Sequence, residues 1–167
     1  MVESSGPGAA SLLLAHHGTP GACAAEPLAW AMARAWQCDI VHLWVLPSFW
    51  RDMMGDDWLN SAATRATFAT YLEQTLSREI EQQQQALQQR CLAQGLRYRF
   101  LLQIGEPTAC LLHTLHSETP RALVIGSRRP KGVAGYRSHL EMSQLLRQAR
   151  VPILLAPWGW VESSVVQ

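Results

Sequence analysis

Two histidines, His16 and His17, stand side by side just before Gly18, and a third, His139, lies far along the chain. Histidine is the commonest metal ligand and the side chain best suited to proton transfer near neutral pH. Adjacent residues in a strand point to opposite faces, so His16 and His17 do not chelate one ion between them. The second concentration of chemistry is Gly126-Ser127-Arg128-Arg129-Pro130-Lys131-Gly132, with Gly135 and Arg137 close behind. Glycines let a backbone approach a phosphate, and arginine forks bind phosphate through paired hydrogen bonds. The stretch therefore reads either as a site for a phosphate-bearing anion or as a solvated basic loop. His113 and His116 are three apart and share a helix face, while Leu111, Leu112 and Leu115 take the core side and leave the histidines exposed. Cys23, Cys38, Cys91 and Cys110 form no C-x-x-C pair and have no histidine partner in sequence. They read as small buried hydrophobes, not nucleophiles. No serine occupies a G-x-S-x-G elbow and no G-x-x-x-x-G-K-[ST] loop is present. Local sequence therefore supplies no catalytic residue.

The basic loop sits inside a strand–helix–strand pattern. Ala122-Leu123-Val124-Ile125 precedes it, a helix is expected over 138–150, and Val151-Pro152-Ile153-Leu154-Leu155-Ala156 follows. Short, wholly apolar runs flanking one helix fit parallel strands, which are buried on both faces and lose the alternating pattern. The loop after such a strand lies at the carboxyl edge of the sheet, where open α/β sheets bind ligands. Working from the start, residues 1–10 are small and polar and read as a flexible terminus. A strand is expected over 11–16, a loop over 17–21, and a helix from Glu26 with Pro27 in its first turn. A strand over 39–46 ends at Pro47. Residues 48–59, with Phe49, Trp50, Met53, Met54 and Trp58, read as an insertion or lid. A long helix spans 60–94, its Gln82–Gln85 run solvated and Gly95 at its end. A strand over 98–104 and a helix from Thr108 to Ser117 complete the order β-α-β-α-β-α-β-α-β. That order predicts one doubly wound α/β domain over 11–157 with a parallel sheet and helices on both faces, and a tail over 158–167. Trp30, Trp36 and Trp44 read as core. The apolar tail, with Trp158 and Trp160, calls for a partner surface.

Bulk properties narrow the classes. A chain of 167 residues fits one domain, and 48% hydrophobic content makes it globular. A net charge of +1 recruits neither nucleic acid nor an acidic membrane. No apolar run approaches a membrane span, and unpaired cysteines suit a reducing compartment, so the expected location is the cytoplasm.

Several pieces, taken in order, resemble the universal stress protein family over most of the chain, roughly residues 11–157. They are the first strand running into Gly18-Thr19-Pro20, Val45-Leu46-Pro47, Gly105-Glu106-Pro107, Leu123-Val124-Ile125-Gly126-Ser127-Arg128, and Ala149-Arg150-Val151-Pro152-Ile153-Leu154-Leu155. The resemblance implies a five-stranded sheet in the order 3-2-1-4-5. It also implies a homodimer formed through the last strand, with Val151, Ile153, Leu155 and Trp158 at the interface. One branch of that family binds ATP through a G-x2-G-x9-G-[S/T] loop and an aspartate after the first strand. Here Gly126 keeps the first glycine. The second falls on Arg129, the third on His139, the hydroxyl on Leu140 and the aspartate on His17.

The physics of those replacements opposes triphosphate binding. Arg129 and His139 put side chains where phosphate oxygens need N–H groups. Ser138 and Glu141 read as an S-x-x-E capping box, which satisfies helix-start donors that an anion would otherwise use. The expected function is a non-catalytic, dimeric stress-response or regulatory protein, acting on an unknown protein partner, with a degenerate nucleotide site and no cofactor. The alternative is a sensor of an AMP- or ATP-like nucleotide or another anion, in a pocket of His17, Gly18, Val41, Gly126, Ser127, Arg128, Arg129, His139 and Leu140. The family geometry sets His139 across the cleft from His17, so half a metal site, or a hydrolase or phosphotransferase pair, is the third possibility.

Overall fold

The computed structural model describes residues 10–46, 62–134 and 139–160, with side chains from Gln74 onward in the second segment. The lid expected over 48–59, residues 1–9 and the end of the tail lie outside the described residues. Strands and helices alternate as β1 (Ser11–Ala15), α1 (Pro20–Trp36), β2 (Asp39–Leu46), α2 (Ala62–Ala93), β3 (Tyr98–Ile104), α3 (Pro107–Glu118), β4 (Ala122–Gly126), α4 (Met142–Gln148) and β5 (Ile153–Ala156). All five strands run parallel in the order β3-β2-β1-β4-β5, as expected.

The apolar runs form buried strands because both sheet faces are covered. Leu12, Leu14, Ile40 and Val124 pack with the alanines of α1 and with Leu87 and Cys91 of α2. On the other face Leu13, Val41, Leu43, Leu123 and Ile125 pack with Leu111 and Leu115 of α3 and Leu145 of α4. Trp44 is buried, and Trp30 and Trp36 are half-buried against the first of these clusters. Among the described residues no helix is long and apolar enough to cross a membrane.

Two helix starts differ from expectation. Helix α1 begins at Pro20, not near Glu26. Thr19 caps it, its Oγ1 accepting from the Ala22 N–H at 3.4 Å, and Pro20 takes the first position, where a missing N–H is harmless. Pro27 therefore lies inside the helix. Helix α4 begins at Met142, later than the expected start at Ser138. Ser138 lies outside the described residues, and Glu141 is itself the cap residue, with no side-chain capping bond. The reason is tertiary: the Glu141 N–H donates to the Thr108 Oγ1 of α3 at 3.0 Å, which fixes where α4 starts.

Candidate functional site

Strand order reverses between β1 and β4, and such a switch point leaves a crevice outside the carboxyl ends of the strands. Leu43, Val45, Leu111, Ile125 and Met142 give the crevice here an apolar wall. His17, Ser127, Arg128, Arg129 and Leu140 also line it, with Trp158 from the tail. The first turn of α1 (Thr19, Gly21 and Ala22) forms one edge.

That edge is packed backbone to backbone. A Cβ placed on Gly126 would stand 1.8 Å from the Gly21 carbonyl oxygen, and one on Gly21 would stand 2.7 Å from the Ser127 carbonyl. Gly126 is thus required by the approach of α1. The Ser127 N–H continues the sheet by donating to the Ala156 carbonyl at 2.9 Å. Its hydroxyl oxygen is buried and makes no hydrogen bond among the described residues.

The basic side chains are tied down. Arg128 donates to the Leu140 carbonyl and Arg129 to the Ala134 carbonyl. The Arg129 guanidinium also lies 5.4 Å from the centre of the Trp158 ring, in cation–π range. His17 is half-buried, and burial, reinforced by neighbouring His16, lowers its pKa to about 4, so it is neutral at pH 7.

Behind the crevice runs a polar network that local sequence reading missed. The Gly18 N–H donates to His16 Nδ1 at 3.1 Å, so the His16 proton sits on Nε2 and is given to Glu26 Oε1 at 2.7 Å. Arg90 of α2 grips the same carboxylate with two bonds of 2.8 Å. Burial pushes the Glu26 carboxyl up, but the bonds from His16 and Arg90 outweigh it and hold the pKa below its ordinary value. One strand away, His42 Nε2 donates to the His16 carbonyl at 2.8 Å, and its Nδ1 accepts from the Tyr98 hydroxyl at 2.6 Å. The available signal was a histidine inside the apolar run of β2, since a buried polar group requires partners.

His16, Cys23 and Glu26 hold donor atoms within 4.8 Å of one another. They fit a hydrogen-bond network and not a metal ion: with Nδ1 accepting from Gly18, coordination through Nε2 would demand an imidazolate, and both Glu26 oxygens are gripped by Arg90. Cys23 is exposed, unlike the buried residue expected, and Cys110 is half-exposed. Burial raises the pKa of all four thiols and keeps them protonated near neutral pH.

Of the expected pocket residues, His17, Gly126, Ser127, Arg128, Arg129 and Leu140 line the crevice. Gly18 sits in its loop with φ +76° and packs near Gln83, which is half-buried where a solvated face was expected. Val41 is not in the crevice wall but in the core beneath, because the β2 residues that reach the crevice are Leu43 and Val45. His139 is exposed and is not among the lining residues, so the crevice does not unite it with His17. His113 and His116 are exposed. Of the residues expected at a dimer interface, Ile153 and Leu155 lie on edge strand β5, and Val151 just before it packs against the core. Trp158 sits in the crevice of its own chain, beside Gly21.

No family model matches the sequence, and no curated protein matches it. Solved structures do. A universal stress protein family member from Burkholderia pseudomallei superposes with a TM-score of 0.64 at 19% identity, over 87% of this chain and 94% of that one. An Arabidopsis thaliana universal stress protein family protein with AMP bound gives 0.61 at 13% identity, over 89% and 91%. A universal stress protein in complex with cAMP gives 0.59 at 14% identity, over 88% and 96%. Together with the parallel sheet in the order 3-2-1-4-5, these matches establish that the chain has the universal stress protein fold.

Proposed function

We propose that this chain is a non-catalytic regulatory protein of the universal stress protein kind, cytoplasmic and dimeric through β5, which acts by contact with another protein and does not bind ATP through its β4 loop. The observation that carries the reading is Arg128, whose guanidinium donates to the Leu140 carbonyl and straps the loop between β4 and α4. The resemblance puts a triphosphate in that loop. At the start of α4 the Glu141 N–H already donates to Thr108 Oγ1, so that donor is taken before any phosphate arrives. The near side of Gly126 is filled by the Gly21 backbone.

A second reading, a small-ligand sensor, is favoured by Ser127. Its buried hydroxyl has no partner among the described residues, which is costly unless something else bonds to it. Two structural neighbours hold AMP and cAMP, so adenine nucleotides are the first ligands to try.

Calorimetric titration with Mg-ATP, AMP and cyclic AMP tests both readings. The expected outcome is no saturable ATP binding at micromolar concentration and no nucleotide retained in native mass spectra of the purified protein. Saturable ATP binding lost in Arg129→Glu would overturn the first reading.

A further inference from the structure

We infer that the crevice between β1 and β4 takes a small amphipathic carboxylate, its alkyl or aryl body against the apolar wall and its head group toward Ser127 and Arg129. The inference rests on the sensor reading above and names the ligand class for it.

The wall determines the body. Leu43, Val45, Leu111, Ile125 and Met142 offer hydrocarbon and no hydrogen-bonding side chain. Polar edges of a nucleoside laid against that wall would find no side-chain partner on it, each a penalty. An alkyl or aryl group has no such edges. Pockets of this kind bind through apolar area and use a few placed polar groups for orientation.

Those polar groups determine the head. Ser127 Oγ is a buried hydroxyl with no hydrogen bond among the described residues, just past the end of β4 and held in place by the Ser127 N–H bond to Ala156. One hydroxyl suits one acceptor oxygen. The first turn of α1 lines the same crevice, and a helix start favours negative charge. Arg129 stands at the rim over the Trp158 ring. The bond to the Ala134 carbonyl and the ring contact fix the orientation of the guanidinium, so a carboxylate meets a cation already in position. His17 brings a second polar group without charge. A single negative charge matches this set better than the three or four of a triphosphate.

The test is calorimetry on the full chain with hexanoate, octanoate, octanol and Mg-ATP. Octanoate is expected to bind saturably at one per chain. Hexanoate, two methylenes shorter, should bind roughly tenfold more weakly. Octanol should bind at least roughly tenfold more weakly than octanoate, for want of a charge. Arg129→Gln should abolish the difference between octanoate and octanol, and Arg129→Lys should restore part of it. The chain-length and head-group comparisons need no variant, so they stand even where one fails to fold. Absence of saturable heat from both carboxylates overturns the inference, as does equal affinity for octanoate and octanol. Silence from all four ligands sinks the inference and the sensor reading together but leaves the lack of ATP binding intact. Saturable heat from ATP alone sinks the inference and the first reading.

Discussion

Gly126, the last residue of β4, lies so close to Gly21 in the first turn of α1 that a Cβ on Gly126 would stand 1.8 Å from the Gly21 carbonyl oxygen. The atom it would meet is main chain on a packed helix, which cannot rotate aside. Gly126→Ala is therefore expected to destabilise the fold, by roughly 1–3 kcal/mol for an overpacked site. Gly132, with φ +85° and nothing within 4 Å of its Cβ position, provides the contrast. Gly132→Ala should cost only the left-handed backbone penalty, about 1 kcal/mol. Urea denaturation of the two variants decides between them. Equal losses would mean that α1 shifts to admit the methyl group and that its approach does not require Gly126.

The same contact explains what was legible in the sequence and what was not. The strands could be read because burial on both faces leaves wholly apolar runs, as in Leu12-Leu13-Leu14 and Leu123-Val124-Ile125. Helix starts were harder. Thr19-Pro20 carries the stronger start signal, a hydroxyl cap before proline, but it lies in the Gly18-Thr19-Pro20-Gly21 run that reads as a loop. The fold starts the helix there because Glu26 must lie on a formed helix to reach His16 and Arg90. At α4 the Glu141 N–H is held by Thr108, a partner 33 residues away that no local pattern reveals. The crevice was legible as a place, through Gly126 and the loop behind it. Its contents depend on contacts such as Arg128 with Leu140 and Arg129 with Trp158, which no local pattern encodes.

Glu26→Ala tests the network behind the crevice. It removes the acceptor for a buried His16 Nε2–H and for two bonds from Arg90. The Arg90 side chain is 42% exposed and can turn to water, so the cost falls short of that for a wholly buried ion pair. About 2 kcal/mol is expected, chiefly from the stranded His16 donor. Because His16 Nδ1 holds the Gly18 N–H, hydrogen exchange at Gly18 should quicken in the variant. Unchanged exchange there would show that the network does not shape the crevice loop.

Strand β5 is an edge, and Leu155 on it is 50% exposed. An exposed apolar residue on an unpaired edge is a ready surface for a second copy of the strand, and charge on such an edge opposes pairing. Leu155→Lys is expected to turn the proposed dimer into a monomer in light scattering at micromolar concentration, with little change in helical and strand content. A wild-type chain that is already monomeric at that concentration would remove the β5 interface from the proposed function.

Stability should fall as the solution is acidified from pH 6.5 toward 4. Burial is the main cause that lowers the pKa of both His17 and His42 to about 4. His42 is faced by the His16 carbonyl and the Tyr98 hydroxyl, with His16, Glu26 and Arg90 as the nearby titratable and charged groups. Between pH 6.5 and 4 the unfolded chain binds protons at these two positions that the folded chain refuses. Where the unfolded state holds more protons, stability rises with pH, here by at most about 1.4 kcal/mol per pH unit for each histidine. The depressed Glu26 carboxyl acts with the same sign lower down: its contribution is full above the ordinary carboxylate range and is lost as pH falls through its folded value. Urea midpoints at pH 7, 6 and 5 should therefore decline steadily in the wild type. His17→Gln and His42→Gln should each remove about one proton from the slope, whatever they do to stability at pH 7. A double variant that keeps the wild-type slope would mean that neither imidazole is held neutral by the fold.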